Sequence, residues 1–495
     1  MTKEKNKIIL VIILILISLI TLVGSSYALL TKSFKSKKLS MEVGTLKIDF
    51  AEGNAINMAN AAPMTDSNGL KSTPYTFTIT NGGDINAYYT VSNEEELANT
   101  LDTSYLRMKL TGSDGYDSGI KTVKELGTET YKLIDDTLLE TGKSVTYELR
   151  MWISQDAGND IQDKIYKSKI VVNGTSNKLP LATDKILAKA NPENLDYNTA
   201  TDAQKKEMWT FTHEATEQTT ALTDYRYIGA DPNNYVKFND ELWRIIGVFD
   251  TDDGTGKVEK RLKIIRNESI GNYTWNYNAS GKYINEWSIA QLNNLLNSGA
   301  YYNRTTGTYY NYNGNSTTAS NEDFTTTGLT EKARAMIGNA KWYLGGTANY
   351  TSSSNGLASH FYKYERGTGV YSERSTSWTG KVGLIYPSDY GYATSGGATT
   401  NRASCLAKEL YNWKDSSVSD CSNNDWMYNS SNSQWTITPP RDDANGVFFV
   451  TSTGNVDYYY AYSILSVRPV VHLNSAIKVI TGSGTKESPY ILSGN

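Results

Sequence analysis

Hydrophobic positions in this chain mostly recur every second residue, in short runs closed by Gly, Asn, Asp and Ser. Side chains on a strand point to alternate faces, so this period marks half-buried strands; a helix would repeat at three and four. In the first region, residues 40–178, such runs fall at 46–50, 75–80 ahead of Asn81-Gly82-Gly83, 88–91, 105–110, 146–153 and 167–172. That many strands with short turns predict a β-sandwich. Within 146–153 the alternation assigns Tyr147, Leu149, Met151 and Ile153 to the core. Trp152 shares the other face with Glu148 and Arg150, where stacking on Arg150 or covering an edge is expected over a ligand platform.

Residues 179–230 are polar and Ala-rich, with helical turns at 184–190 and 203–209 but no sustained apolar face, and read as a linker. Strand patterning returns in residues 231–480. The runs 238–249 and 261–266 flank Asp250-Thr251-Asp252-Asp253-Gly254-Thr255-Gly256, which predicts a hairpin whose acidic tip serves the turn, the spacing of a calcium loop being absent. Apolar positions at helical spacing, Leu292, Leu295 and Leu296, then Ala333, Met336 and Ile337, predict short helices laid on a sheet at 288–296 and 330–337. Long loops at 301–318 and 345–369 follow the composition of functional surface or disorder. A strand at 435–440, a hairpin of 446–451 and 456–460 about Ser452-Thr453-Gly454-Asn455, and a closing strand at 465–473 end this region, before a tail strand in 481–495. The expected fold class is mainly β with α+β character.

The N-terminus departs from this pattern. Lys3, Lys5 and Lys7 precede an apolar run from Ile8 to Val23, and Ser26-Tyr27-Ala28 supplies a small-x-small cleavage triplet. Residues 1–30 therefore read as a signal peptide with a cleavage region at Ser26 and Ala28, or as an uncleaved single-pass membrane anchor extended by Leu29 and Leu30. Either way the remaining chain is extracytoplasmic, at the cell surface or secreted.

Composition narrows the chemistry. Forty-eight basic against 52 acidic residues leave a net charge of −4, which argues against nucleic acid as a partner. With 3 His and 2 Cys, no metal site and no cofactor are expected. His213 reads as a solvated residue and His360 as a loop residue without a visible partner, while Arg468 and His472 share a strand face suited to structural hydrogen bonds. Cys405 and Cys421 are expected to form a disulfide, no His being near in sequence to activate a thiolate. The 36 Tyr are far above ordinary usage, and the run Tyr458, Tyr459, Tyr460, Ala461, Tyr462 has too many phenols to bury together. The candidate ligand face is accordingly drawn from Trp435, Arg441, Asp442, Tyr458, Tyr460 and Tyr462, against the alternative that these aromatics only pack on one another.

Two resemblances bear on these expectations. Gly24 to Ala28 followed by Val43-Gly44-Thr45-Leu46-Lys47-Ile48, with the segments 77–81, 87–89, 149–152 and 169–174, resembles the camelysin and TasA-like biofilm-fibre group. It implies export, cutting by a dedicated signal peptidase and a sandwich domain at 40–178. Camelysin has been regarded as a protease, yet no His precedes His213 and H-E-x-x-H occurs nowhere, so a structural or assembly module is expected instead. Leu242 to Val248 with Ser466-Val467-Arg468-Pro469-Val470-Val471-His472-Leu473 resembles the C-type-lectin-like fold, shared by formylglycine-generating enzymes, retroelement-diversified ligand-binding proteins and surface proteins of gut Gram-positive bacteria. Cys405 and Cys421 do not occupy the motif positions of the copper-binding cysteines that the oxidase requires, so that activity is not expected. The resulting expectation is an exported bacterial cell-surface protein, not an enzyme, whose C-terminal domain binds a glycan or protein ligand for adhesion or recognition. The alternatives are a structural matrix or fibre subunit that polymerises by strand addition, and an exported oxidase or protease.

Overall fold

A computed structural model describes residues 46–52, 62–95, 99–127, 130–158, 161, 164–176, 178–314 and 316–493; the expected export segment, with Ser26 and Ala28, lies outside them. The chain is mainly β, with 36% strand against 17% helix, and its sheets are built largely of antiparallel pairs. Among the described residues no helix is long and apolar enough to cross a membrane.

In the first region the strands Ile48–Glu52, Tyr75–Asn81, Ser144–Ile153, Leu106–Gly112 and Lys121–Thr122 lie in that spatial order in one sheet, and Thr130–Leu139, Ala87–Glu95 and Ser168–Thr175 form another. Both sheets contribute to one apolar core: Phe77, Ile79, Leu106, Tyr147 and Leu149 from the first, Tyr89, Val91, Tyr131 and Leu133 from the second. Tyr147, Leu149, Met151 and Ile153 are all buried, as alternation requires. Trp152, on the opposite face, lies under the short helix Asp66–Gly69 and donates to Asp66 Oδ1 at 3.0 Å. A Cβ on Gly69 would fall 2.2 Å from the indole, so a glycine is what lets the helix sit down on it. Arg150 pairs with Glu148 at 2.9 Å on the same face.

The strand Thr130–Leu139 has no counterpart in the sequence pattern. Leu133 and Ile134 are both buried because the pairing with Ala87–Glu95 is bulged, with Asp136 at a φ of 46°, and a bulge resets the two-residue period.

The larger region is organised by a nine-stranded sheet in which Val382–Gly383, Val470–His472, Val258–Arg266, Glu241–Asp252, Tyr235–Phe238, Tyr490–Leu492 and Val479–Thr481 are neighbours. Leu222–Arg226 and Trp209–His213 extend it from Glu241–Asp252. Residues 179–230 are thus not a spacer. They form the helices Ala182–Leu187 and Asp202–Lys205 and two strands, and bury Ala182, Ile186, Met208, Trp209 and Tyr227. Their apolar residues are spread over several short elements, so no one window shows a periodic face.

A five-stranded sheet of Asn272–Thr274, Ile464–Ser466, Gln434–Trp435, Gly446–Val450 and Val456–Tyr460 packs into the same core. The expected single closing strand at 465–473 is in fact two strands, one in each sheet, with Pro469 between them, where no backbone N–H is available to continue a ladder. The helices Gln291–Asn297 and Glu331–Met336 bury Leu292, Leu295, Leu296, Ala333 and Met336, and the Thr330 side chain caps the second. At the tip of the Glu241–Asp252 hairpin, Asp252 and Asp253 accept from the amides of Gly254, Thr255 and Gly256, which is turn chemistry. Cys405 and Cys421 are joined in a disulfide and fully buried. The strand Tyr490–Leu492 of the tail runs parallel to Tyr235–Phe238, inside the sheet rather than beyond its edge.

Candidate functional site

The hairpin Gly446–Val450/Val456–Tyr460 sets Gly446 opposite Tyr460, Phe448 opposite Tyr458 and Val450 opposite Val456. Val447, Phe448, Val450 and Val456 are buried and fix the hairpin to the body. Beyond Val456 the strand leaves the core, and Tyr458, Tyr459 and Tyr460 stand 36%, 53% and 43% exposed. Ala461, fully buried, turns the chain back, and its carbonyl accepts from Trp275 and Asn276.

The rings form two contacting sets on the hairpin. Tyr460 and Tyr462 stack with centroids 5.2 Å apart and planes 13° from parallel. Tyr462 meets Tyr283 edge-on at 4.6 Å and Tyr312 at 4.4 Å, and Tyr312 contacts Tyr277 at 5.7 Å. Tyr459 lies 5.3 Å from Tyr460. On the other flank Tyr458 packs on Tyr350 at 5.4 Å, Tyr350 on Tyr411 at 5.4 Å, and the Tyr350 hydroxyl donates to Asp457 Oδ1. Each contact restrains two aromatic side chains with few rotors, so the face is stiff before any ligand arrives. Among the described residues the hydroxyls of Tyr458, Tyr459, Tyr460 and Tyr462 have no protein hydrogen-bond partner. Partial burial, then Asp443 and Asp442, push the Tyr458 phenol above its ordinary value, and desolvation followed by the neighbouring rings does so for Tyr462. Both therefore stay neutral donors at physiological pH.

Two of the expected site residues lie elsewhere. Trp435 is fully buried: it pairs with Phe449 across the sheet and its indole donates to the Tyr273 carbonyl at 2.9 Å, so it belongs to the core. Its aromatic character gave no clue to its side of the sheet, because a two-residue strand shows no alternation. Arg441 is exposed but borders Gly346 and Gly369 rather than the tyrosine array. Asp442 is exposed and acts on Tyr458 through its charge. The two sets also recruit Tyr277, Tyr283, Tyr312, Tyr350 and Tyr411 from segments distant in sequence, which only the overall abundance of tyrosine hinted at.

A separate polar centre is buried under the nine-stranded sheet. Arg226 bridges Asp224 at 2.8 Å and Asp389 at 2.9 Å, and Lys263 also pairs with Asp389. Burial opposes the charge of both aspartates; Arg226 with His213 for Asp224, and Lys263 with Arg226 for Asp389, outweigh it and hold both carboxyls below the ordinary range. Next to them Glu365 accepts from the Ser388 amide and hydroxyl, and burial pushes its carboxyl up to about 7. His213 is not solvated: it is buried, stacks on Tyr362 at 3.7 Å and lies 3.1 Å from Asp224, and burial lowers its pKa. His472 is buried as well, with Nδ1 3.1 Å from the Thr251 hydroxyl, and burial keeps it neutral. Arg468 donates to the Arg266 carbonyl at 2.8 Å. His360 lies in the first turn of helix Ala358–Glu365, its ring accepting from the Leu357 amide. Among the described residues no group of three or more His, Cys, Asp or Glu is placed to hold a metal ion.

No family model matches the chain, and no curated protein matches it. Among solved structures it is similar to AvmM, described as catalysing macrocyclization in alchivemycin A biosynthesis, with 10% identity over 27% of this chain and 89% of that one. The TM-score of that match is 0.16.

Proposed function

We propose that this is an exported bacterial cell-surface protein whose C-terminal region, residues 231–480, recognises a glycan or protein ligand through the tyrosine array. In this reading residues 40–178 are a camelysin-like sandwich that spaces or assembles, residues 231–480 take a C-type-lectin-like form, and the function is adhesive rather than catalytic. The observation that carries it is the contiguous, ring-on-ring set of Tyr283, Tyr312, Tyr459, Tyr460 and Tyr462, in which the Tyr459, Tyr460 and Tyr462 hydroxyls have no protein partner among the described residues. Aromatics exposed only by chance are scattered singly, whereas a contiguous patch of stiff rings with polar tips is the composition of binding surfaces. Sugar rings or apolar side chains would lie on the ring faces, with the phenols donating at their edges.

A glycan- and protein-array screen of the chain lacking residues 1–30, with the Tyr458→Ala/Tyr460→Ala/Tyr462→Ala variant as control, tests the reading. Specific binding that falls at least tenfold in a variant with unchanged circular dichroism is expected, in line with the roughly 1–3 kcal/mol of a few aromatic contacts. Equal binding by the two proteins would remove the tyrosines from the site.

A further inference from the structure

The polar centre does not end at its ion pairs. It opens through a narrow cavity of about 30 Å³ whose walls include Asp224, Asp252, Lys263, Lys341, Arg366 and His472. The acids in this wall are already engaged. Asp224 is held by Arg226, Asp250 at the same rim by Lys260 at 3.0 Å, and Asp252 by turn amides. Lys263 is likewise committed to Asp389.

Two cations keep donors without a protein acceptor among the described residues. Arg366 is 6% exposed as a residue, and its protein hydrogen bonds leave from Nη1 alone, to the Tyr362 carbonyl at 3.4 Å and Glu365 at 3.3 Å, both long. Glu365, which also accepts from Ser388, is paired with Arg366 through Nη1 only. Nε and Nη2 of Arg366 have no acceptor among the described residues, yet neither is sealed from solvent as a buried unpaired atom. They form the edge of a guanidinium that takes a carboxylate side-on, through parallel hydrogen bonds. Lys341, on strand Ala340–Tyr343, has no carboxylate partner among the described residues, and its ammonium lies 5.3 Å from the Tyr343 ring centre. The Arg366 guanidinium lies 5.6 Å from that same ring, so both cations border one tyrosine of the cavity wall. Arg366 is held by Tyr362, its guanidinium 3.7 Å from a ring that His213 stacks at 3.7 Å; two groups that close cannot share a face, so the tyrosine is sandwiched and the guanidinium is fixed in place.

We propose that this cavity is a second ligand site, one that receives the carboxylate of an acidic ligand between the free edge of Arg366 and the ammonium of Lys341. The guanidinium edge is open to the cavity while the rest of the residue is buried, so a carboxylate there meets preorganised donors with little surrounding water, where a bidentate charge-assisted pair is strong. The volume admits the carboxylate but not a sugar ring or a peptide unit, so the rest of the ligand stays at the rim near Leu222 and Asp252. The site is independent of the tyrosine array and stands or falls separately.

The test is isothermal titration of the chain lacking residues 1–30 with D-glucuronate and with N-acetylglycine, using glucose and N-acetylglycine methyl ester as neutral controls. Saturable binding of a carboxylate probe, absent for its neutral control, is expected. Binding of both probes assigns the shared carboxylate, and binding of only one names an acidic sugar or a peptide terminus as the source. Lys341→Met, a change at a partly exposed position, should weaken binding at least tenfold, and Arg366→Gln should abolish it. No saturable binding by either probe to the folded chain overturns the proposal, as does binding that Lys341→Met leaves unchanged.

Discussion

At the scale of single residues, Glu365 makes the most specific claim. Its carboxyl is pushed by burial up to about 7 from an ordinary 4.5. Between these values the native state keeps a proton that the unfolded chain has released, so stability falls as pH rises through this window. The two values correspond to on the order of 3 kcal/mol. Glu365→Gln removes the ionisation and loses an acceptor for Ser388 or Arg366, and is expected to be destabilised at pH 5. By pH 8 it should have regained on the order of 3 kcal/mol relative to the parent. His213 and His472, whose buried neutral forms favour folding as pH rises towards 6.5, contribute to both proteins and cancel in the difference. Urea denaturation at the two pH values checks this, and a pH-independent difference would show that Glu365 is ionised throughout. None of this centre was legible in the sequence. Arg226 and Asp389 are separated by 163 positions, and Asp224 and Arg226 look like any polar pair on one strand face. His213 looks solvated in the sequence for the same reason: the groups that bury it, Tyr362 and Tyr392, come from helices far along the chain.

Elements were legible where the hydrophobic period ran unbroken and not where the backbone interrupts it. Leu292, Leu295 and Leu296 mark a helix, and Tyr147 to Ile153 mark a strand, because each lies on one regular face. The bulge in Thr130–Leu139 erases the period of an otherwise apolar strand. The bulge between Ile245 and Gly247 in Glu241–Asp252 leaves no mark on the hydrophobic pattern because that strand is buried on both faces. It also explains Gly247. A Cβ there would fall 2.1 Å from the Tyr225 carbonyl oxygen, backbone that cannot swing aside as a side chain does. Gly247→Ala must push Leu222–Arg226 away from the sheet, and with it Asp224 and Arg226. A loss of about 2–3 kcal/mol is expected from overpacking plus disturbance of the ion pairs. Denaturant titration decides it, and a change below about 0.5 kcal/mol would place the effect among ordinary surface substitutions.

Across the whole molecule, the junction between the first and second regions carries a specific lock. The Ala182 amide donates to the Ile477 carbonyl at 2.7 Å and the Val479 amide to the Pro180 carbonyl at 3.1 Å, so the connecting chain is strapped to the strand near the C-terminus. Just before that strand, Lys478 reaches into the first region and pairs with Asp135 at 3.0 Å and Asp136 at 3.2 Å. Burial disfavours the charge on Lys478, but the two carboxylates more than compensate and raise its pKa; for Asp135, burial is likewise outweighed, by Lys478 and Lys132, and its pKa is lowered. The pairing spans residues more than 340 positions apart and rests on Asp136, a buried carboxylate on the bulge of Thr130–Leu139. Lys478→Met keeps the aliphatic stem and removes the charge, leaving Asp136 buried without its cation. Faster amide hydrogen exchange is expected in residues 130–139 and 477–482, while exchange in residues 446–460 below the tyrosine array stays as it was, because stability is lost locally when a contact that joins two cooperative units is cut. Unchanged exchange in residues 130–139 would mean that the backbone strap alone holds the junction. The same pairing predicts acid sensitivity: as pH falls through the lowered pKa of Asp135, its share of the lock is protonated away, and exchange in the parent should approach that of Lys478→Met.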